Sequence, residues 1–231
     1  MSCKDDKIIN YLGIIPARSG STGIKNKNII KINNKECFRY TLEPAIESNI
    51  DKIFFSTESS EYLKLYKKYC DKNKDVTFDY LRPSDISQKL SPATEYIDNC
   101  LNFLREKGYN VLNYIILQPT SLFRTHTQIN SVIEQHKKNP LLNIKSVSPT
   151  TQTPYYMMYE NKEMVIKHNY KNRQEHRKTF ILNGAYFVSS VENFKNNKTG
   201  FKTFRMSELE GMDMDEEIDL TIIRLSIEKN I

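Results

Sequence analysis

The sequence is poor in the residues that staple folds together covalently or through metals. It has four cysteines, Cys3, Cys37, Cys70 and Cys100, far apart and without a Cys-x-x-Cys pair. That spacing argues against a disulfide framework or a thiolate zinc site and fits a reducing, cytoplasmic setting. The four histidines, His126, His136, His168 and His176, show no metal-ligand spacing and no adjacent Ser or Cys nucleophile pattern. None is assigned to catalysis, and His136 reads as a solvent-facing helix position. No apolar run approaches the roughly 20 residues of a membrane-spanning helix, so no membrane partner is expected. Residues 1–7 are rich in charge, and the apolar stretch after them is too short for a secretory signal. There is no internal repeat and no low-complexity linker.

What the chain does have is enough apolar material for a sizeable core. Its 231 residues are 39% hydrophobic and 11% aromatic, and they read as one domain over residues 1–231. The formal net charge of +6 suits an anionic ligand. The lysines are scattered among Asn and Ile and do not form a basic patch interleaved with aromatics, so nucleic acid ranks last among partners.

Tyr11-Leu12-Gly13-Ile14-Ile15, ended by Pro16, reads as a buried strand, as do residues 52–56 and, most clearly, Tyr114-Ile115-Ile116-Leu117. A short strand is expected at Val76-Thr77-Phe78. Helices are expected over residues 38–48, 61–71, 94–107, 127–138 and 216–228. This alternation predicts an α/β fold: a Rossmann-like, mostly parallel sheet with helices on both faces. Ligands of such sheets bind at the carboxyl ends of the strands, which points to the loops after Ile15 and Leu117. The rhythm breaks near Ser148. Residues 149–178, with Tyr155, Tyr156, Met157, Met158 and Tyr159, an Asn161-Lys162 turn and then Met164-Val165-Ile166, read as a hairpin excursion.

The segment Pro16-Ala17-Arg18-Ser19-Gly20-Ser21-Thr22-Gly23-Ile24-Lys25-Asn26-Lys27-Asn28 combines glycines with cations. Such a loop can cradle phosphate through backbone N–H groups and positive charge. It is neither a GxxxxGK[ST] loop nor a GxGxxG fingerprint, and on generic features a basic surface loop is an equal reading.

Ile14 to Ser21 and Gly23-Ile24-Lys25-Asn26-Lys27-Asn28 resemble the signature of the CMP-sialic acid synthetases, the acylneuraminate cytidylyltransferases. Further matching pieces follow in order: Leu81-Arg82-Pro83; Leu117-Gln118-Pro119-Thr120-Ser121 with Arg124-Thr125; Asn183-Gly184-Ala185; and Met212-Asp213-Met214-Asp215 with Glu217 and Asp219. The resemblance spans nearly the whole chain. It implies the nucleotide-diphospho-sugar transferase version of the fold, with residues 149–178 as a protruding dimerisation arm. It also implies a reaction in which CMP passes from CTP to the anomeric hydroxyl of an acidic nine-carbon sugar and pyrophosphate leaves.

By the same resemblance, Ala17, Arg18, Ser19, Gly20, Asn28 and Arg82 bind the nucleotide, with Arg18 along the triphosphate and Arg82 near the base. Arg18, Lys27 and Asp215 are the catalytic set. Gln118, Arg173, Asn183 and Phe187 bind the sugar, Arg173 at its carboxylate through a guanidinium fork; for Phe187 a core position in a strand is an equal reading. Asp213 and Asp215 are two residues apart, so in an extended segment they face one side. Two hard oxygen ligands suit Mg²⁺, with Mn²⁺ as an alternative, and the family match assigns them to it. Glu216 and Asp219 read as helix N-terminal groups. Thr120 and Ser121 read as turn residues and Arg124 as a structural group. The expected partners are CTP, the sugar acid and a second copy of the chain.

The chain departs from the family pattern at several places. Thr22 stands where Lys is usual, with Lys25 close enough in sequence to substitute. Lys89 replaces an aspartate, Ile181 and Leu182 replace an Arg-Pro pair, and Tyr156 falls near a usual Lys. The loss of cations on the sugar side points away from plain N-acetylneuraminate, toward a legionaminic, pseudaminic or bacillosamine-like acid. The alternatives are a cytidylyltransferase for another acid such as ketodeoxyoctonate, or an inactive CTP-binding relative.

Overall fold

The computed structural model describes residues 7–21, 23–150, 154, 157–160, 165, 175 and 177–229. The strands are β1 (Lys7–Pro16), β2 (Lys31–Ile32), β3 (Lys35–Glu36), β4 (Lys52–Ser56), β5 (Tyr109–Leu117), β6 (Asn143–Thr150), β7 (Thr179–Ser190) and β8 (Phe201–Arg205). The helices are α1 (Arg39–Glu47), α2 (Ser60–Tyr66), α3 (Ala93–Glu106), α4 (His126–Lys137), α5 (Val191–Lys195) and α6 (Glu217–Glu228).

Six strands form one sheet in the order β4-β1-β5-β7-β6-β8. β4, β1 and β5 pair in parallel, β7 runs antiparallel to both β5 and β6, and β8 is parallel to β6. The expected mostly parallel α/β sheet is therefore present, with β7 as its single reversed strand.

Continuous apolar runs make the central strands because both sheet faces are covered. From β1, Tyr11 and Ile15 pack with Leu42 of α1, Tyr62 and Tyr66 of α2 and Ile129 and Val132 of α4. Leu12 and Ile14 pack the other way, with Tyr96, Ile97 and Leu104 of α3. A smaller cluster holds α6 through Leu220 and Ile223 against Ile24, Ile32 and Leu122. Polar starts set two of the helices. Thr125 and Gln128 form a capping box at α4, and Ser59 accepts the Tyr62 N–H at α2.

Three expectations need correction. Residues 76–78 are not a strand: only Asp75 bridges Ile53, and Phe78 turns the chain with φ 53°, a left-handed conformation that ends extended pairing. The helix expected to reach residue 71 stops at Tyr66. His136 is buried, at 1% exposure, because its ring fills core space and its Nδ1 meets the Tyr11 hydroxyl at 2.9 Å. Burial lowers its pKa below the usual 6.5.

Most of the expected arm over residues 149–178 lies outside the described residues, including the Asn161-Lys162 turn. Its first two residues belong to the sheet instead, since Pro149 and Thr150 pair with Phe180 and Thr179. Within the span, the Val165 N–H donates to the Met157 carbonyl at 3.0 Å.

Candidate active site

A cleft of about 540 Å³ opens at the carboxyl ends of β1 and β5. Arg18, Gly23, Lys27, Asn28 and Arg82 line it, together with Gln118, Pro119, Thr120 and Gly184, then Asp213, Asp215 and Glu216. The loop from Ile86 to Lys89 and the start of α3 at Ala93 and Tyr96 complete the wall. One cleft thus gathers residues far apart in sequence, as the strand-end rule predicts.

The acidic segment before α6 alternates as expected. Met214 is fully buried with Ile24, Leu122 and Leu220, and Met212 packs against the same cluster. Asp213 and Asp215 both reach the cleft. The Met214 N–H donates to the Thr120 carbonyl at 3.1 Å, which ties this segment to the end of β5. Asp213 Oδ1 is buried and has no hydrogen-bond partner. Burial pushes its carboxyl pKa up, a hydrogen bond from Thr120 draws it back, and the neighbouring Asp215 charge pushes it up further. Asp215 Oδ1 accepts from Lys27 Nζ at 2.7 Å. Asp219 serves structure, accepting from the Asp215 and Glu216 N–H groups at 2.9 and 2.8 Å, and Glu216 completes the helix capping box.

The donor set fits a small hard cation. A buried carboxylate oxygen left without a partner is costly, and Mg²⁺ takes one or two carboxylates and leaves the rest of its shell to water and phosphate. Among the described residues no group of three or more His, Cys, Asp or Glu could hold a metal. The two aspartates would supply only part of such a cation's shell, and substrate oxygens and water would have to complete it.

The loop after β1 is held from behind. The Ala17 N–H donates to the Ser56 carbonyl at 2.8 Å, and Asn28 Nδ2 donates to the Arg18 carbonyl at 2.9 Å. Asn26, with φ 54°, opens the 3₁₀ turn Lys27–Ile29 that aims Lys27 at the cleft. Asn28 Oδ1 is buried and unpartnered. Gly23 is required by packing, since a Cβ there would meet the Asp215 carbonyl oxygen at 2.3 Å. Gly20 has open space around it. Lys25 is exposed and not on the cleft wall, and Thr22 lies outside the described residues.

Arg82 is buried, at 5% exposure. Its N–H donates to the Thr57 carbonyl at 2.8 Å, and its Nη2 donates to the Ser56 carbonyl at 3.3 Å and stands 3.6 Å from Glu58 Oε2. The guanidinium lies over the Tyr96 ring, 5.4 Å from its centroid, and its Nε has no partner. Burial lowers the Arg82 pKa, Glu58 opposes that, and the charge of Arg18 adds to it. Two guanidinium groups that repel each other within one cleft are an electrostatic opening for an anion.

On the acceptor side, Gln118 lines the cleft, and its carbonyl accepts from Thr41 Oγ1 at 3.2 Å and Arg124 Nη1 at 3.1 Å. Its side-chain amide has no hydrogen-bond partner among the described residues. Arg124 is structural, with Nη1 on Thr41 Oγ1 at 2.6 Å, Nη2 on the Ala185 carbonyl at 2.5 Å and its charge over the Tyr186 ring. Asn183 and Phe187 are not on the cleft wall. Asn183 Nδ2 donates to Ser148 Oγ at 2.8 Å, and its Oδ1 accepts from Ser146 Oγ and the Ala185 N–H at 2.5 and 3.2 Å. A Cβ at Gly211 would strike this amide at 2.2 Å. Phe187 packs with the α3-side core, its ring 6.1 Å from that of Tyr114. Arg173 lies outside the described residues.

The cleft thus brings together Arg18, Lys27, Asn28, Arg82, Gln118, Asp213 and Asp215. Ala17 and Ser19 sit behind it, with their N–H groups on protein acceptors. Sequence reasoning missed Glu58 and Tyr96. Glu58 follows the end of the edge strand β4 as Gln118 follows that of β5, and the same rule, applied to β4, would have found it.

The cytidylyltransferase family profile matches residues 12–226. N-acylneuraminate cytidylyltransferase of Streptococcus agalactiae serotype V is 30% identical over 219 residues, covering 89% of this chain and 50% of that protein. CMP-N,N'-diacetyllegionaminic acid synthase of Legionella pneumophila is 24% identical, covering 96% of this chain and 98% of that protein. The chain spans about half the length of the N-acylneuraminate cytidylyltransferases it matches. The solved structure of CMP:2-keto-3-deoxy-manno-octonic acid synthetase with CTP superimposes with a TM-score of 0.70 at 13% identity, covering 96% of this chain and 100% of that one.

Proposed function

The chain belongs to the cytidylyltransferase family, and we propose that it transfers CMP from CTP to the anomeric hydroxyl of a sialic-acid-like nonulosonate. The observation that carries this reading is one cleft in which a cationic loop faces two aspartates, one with a buried and unpartnered oxygen. Arg18 lies along the triphosphate and Lys27 stands by the reacting phosphate. Arg82 and Tyr96 receive the base. The acceptor's hydroxyl oxygen forms a bond to the α-phosphorus, the bond from that phosphorus to the bridging oxygen of pyrophosphate breaks, and the hydroxyl proton passes to solvent water. Such a displacement rests on alignment and on charge neutralisation, and the cleft's fixed cations provide both.

Asp213 and Asp215 would hold Mg²⁺, or Mn²⁺, which when bound neutralises phosphate charge and lowers the pKa of the attacking hydroxyl. Gln118 presents its amide to the sugar.

The preferred acceptor carries acetamido groups in place of hydroxyls, as in legionaminic and pseudaminic acids. Two features support this. The exposed positions Ile181 and Leu182 are aliphatic, and the legionaminate synthase relative is matched over nearly its full length. Arg173 meets the acceptor carboxylate, residues 149–178 serve a homodimer, and the reaction runs in the cytoplasm. Free thiols at Cys37, Cys70 and Cys100 support a reducing compartment. No helix among the described residues is long and apolar enough to cross a membrane.

Purified protein with CTP and Mg²⁺ would be offered N,N'-diacetyllegionaminate, pseudaminate, N-acetylneuraminate and ketodeoxyoctonate, and pyrophosphate release followed. Release is expected, fastest with a diacetamido acid. A clear preference for N-acetylneuraminate removes the acceptor assignment, and no release with any of the four removes the reaction.

A further inference from the structure

Residues 56–58, at the carboxyl end of β4, hold both halves of the nucleotide end. The Ser56 carbonyl accepts from the Ala17 N–H at 2.8 Å and from Arg82 Nη2 at 3.3 Å. The Thr57 carbonyl accepts from the Arg82 N–H at 2.8 Å. Glu58 completes the junction. Its Oε1 accepts from both the N–H and the hydroxyl of Ser19, each at 2.7 Å, and its Oε2 stands 3.6 Å from Arg82 Nη2. The Glu58 side chain is 20% exposed and that of Arg82 only 4%, so the pair is largely shielded from solvent. Glu58 is not on the cleft wall.

A carboxylate close to an anion site needs a reason, because by charge alone it weakens phosphate binding. The reason lies in Arg82. A guanidinium this deeply buried, and facing the charge of Arg18, is unstable without a counter-charge. Glu58 is the only carboxylate in salt-bridge contact with it among the described residues. The same carboxylate fixes Ser19 in the loop that carries Arg18.

We propose that Glu58 is a positioning residue whose one carboxylate hydrogen-bonds the phosphate loop through Ser19 and supplies the counter-charge of buried Arg82, so that base and triphosphate are received as one rigid unit. This rests on the cytidylyltransferase reading. The base-end and phosphate-end contacts then cooperate, because either end of the nucleotide finds the other half of the site already in place.

The test compares wild type with Glu58→Gln and Glu58→Ala by calorimetric titration of CTP and of inorganic tripolyphosphate, with thermal unfolding to check the fold. In Glu58→Gln the amide oxygen still accepts from Ser19 but the counter-charge of Arg82 is gone. Glu58→Gln is expected to bind CTP about tenfold more weakly while tripolyphosphate affinity is kept or raised. Glu58→Ala is expected to weaken both ligands, by about tenfold or more for CTP. A purely electrostatic carboxylate predicts the opposite sign for CTP, and a generally destabilised fold predicts equal losses for both ligands in both variants. Equal or tighter CTP binding by Glu58→Gln overturns this role alone, as do equal losses. A wild-type protein that does not bind CTP overturns the cytidylyltransferase reading and this role with it.

Discussion

The two ends of the cleft are built in different ways. At one end, the cations Arg18, Lys27 and Arg82 project from segments held by backbone and side-chain hydrogen bonds, with two aspartates on the same cleft and Lys89 as a further cation on its wall. At the acceptor end, Gln118, Pro119, Thr120 and Gly184 form the wall, and no cation stands among them. The acceptor nevertheless carries a carboxylate under the proposed reaction. Under the proposed reaction, rigid charge stands where CTP would bind, and the acceptor would meet a neutral wall.

The largest effect should come from the boundary between the two ends. Asp215 is paired with Lys27 at 2.7 Å and shares the cleft side of its segment with Asp213, while Met214 between them is buried in the core. Asp215→Asn keeps the shape and removes the charge. Its turnover should fall by about a hundredfold or more, while unfolding temperature changes little because the side chain is 67% exposed. Steady-state pyrophosphate release, with chelator added to the wild type as a parallel arm, reads this. If the variant turns over within about twofold of wild type, the acidic pair is not part of the reaction.

A smaller and one-sided effect is expected at Gln118. Gln118→Ala should raise the acceptor KM about fivefold and leave the CTP KM unchanged, the loss of one neutral hydrogen bond. A matching rise in the CTP KM would break the division of the cleft, since Gln118 would then serve the nucleotide as well. The readout is initial rate against each substrate at saturation with the other.

Much of this division was legible in the residues. Continuous apolar runs at Tyr11–Ile15 and Tyr114–Leu117 marked central strands, and the strand-end rule pointed to the loops that carry Arg18 and Gln118, whose roles came from the family resemblance. The alternation Met212-Asp213-Met214-Asp215 told which side chains face the core, because period-two burial survives in any extended segment. Other features depend on contacts between distant segments that local patterns do not encode. His136 has a polar name on an amphipathic helix, and only the Tyr11 hydroxyl across the core explains its burial. Asn183 sits in a motif that points to the sugar, yet Ser146, Ser148 and the Ala185 N–H occupy its amide. Gly23 looked like a phosphate-approach glycine, whereas the constraint on it is the Asp215 backbone. In each case the residue type was informative and its partner was not.

Phe187 gives the smallest and sharpest test, because core and sugar contact make opposite predictions there. The residue sits on β7, opposite Ile116 of β5 and Lys145 of β6. Its ring packs beside Tyr114, with Lys145 Nζ 5.9 Å from its centroid. A core position tolerates a change of shape at a modest cost in stability and none in substrate binding. Phe187→Leu should lower unfolding stability by about 1 kcal/mol and leave the acceptor KM within about twofold of wild type. A sugar-stacking position would do the reverse, raising the KM with stability intact. That result would carry the acceptor end past the neutral wall of Gln118 and Gly184 onto the face of β7, and it would make an aromatic ring, not a missing cation, the feature that selects the sugar.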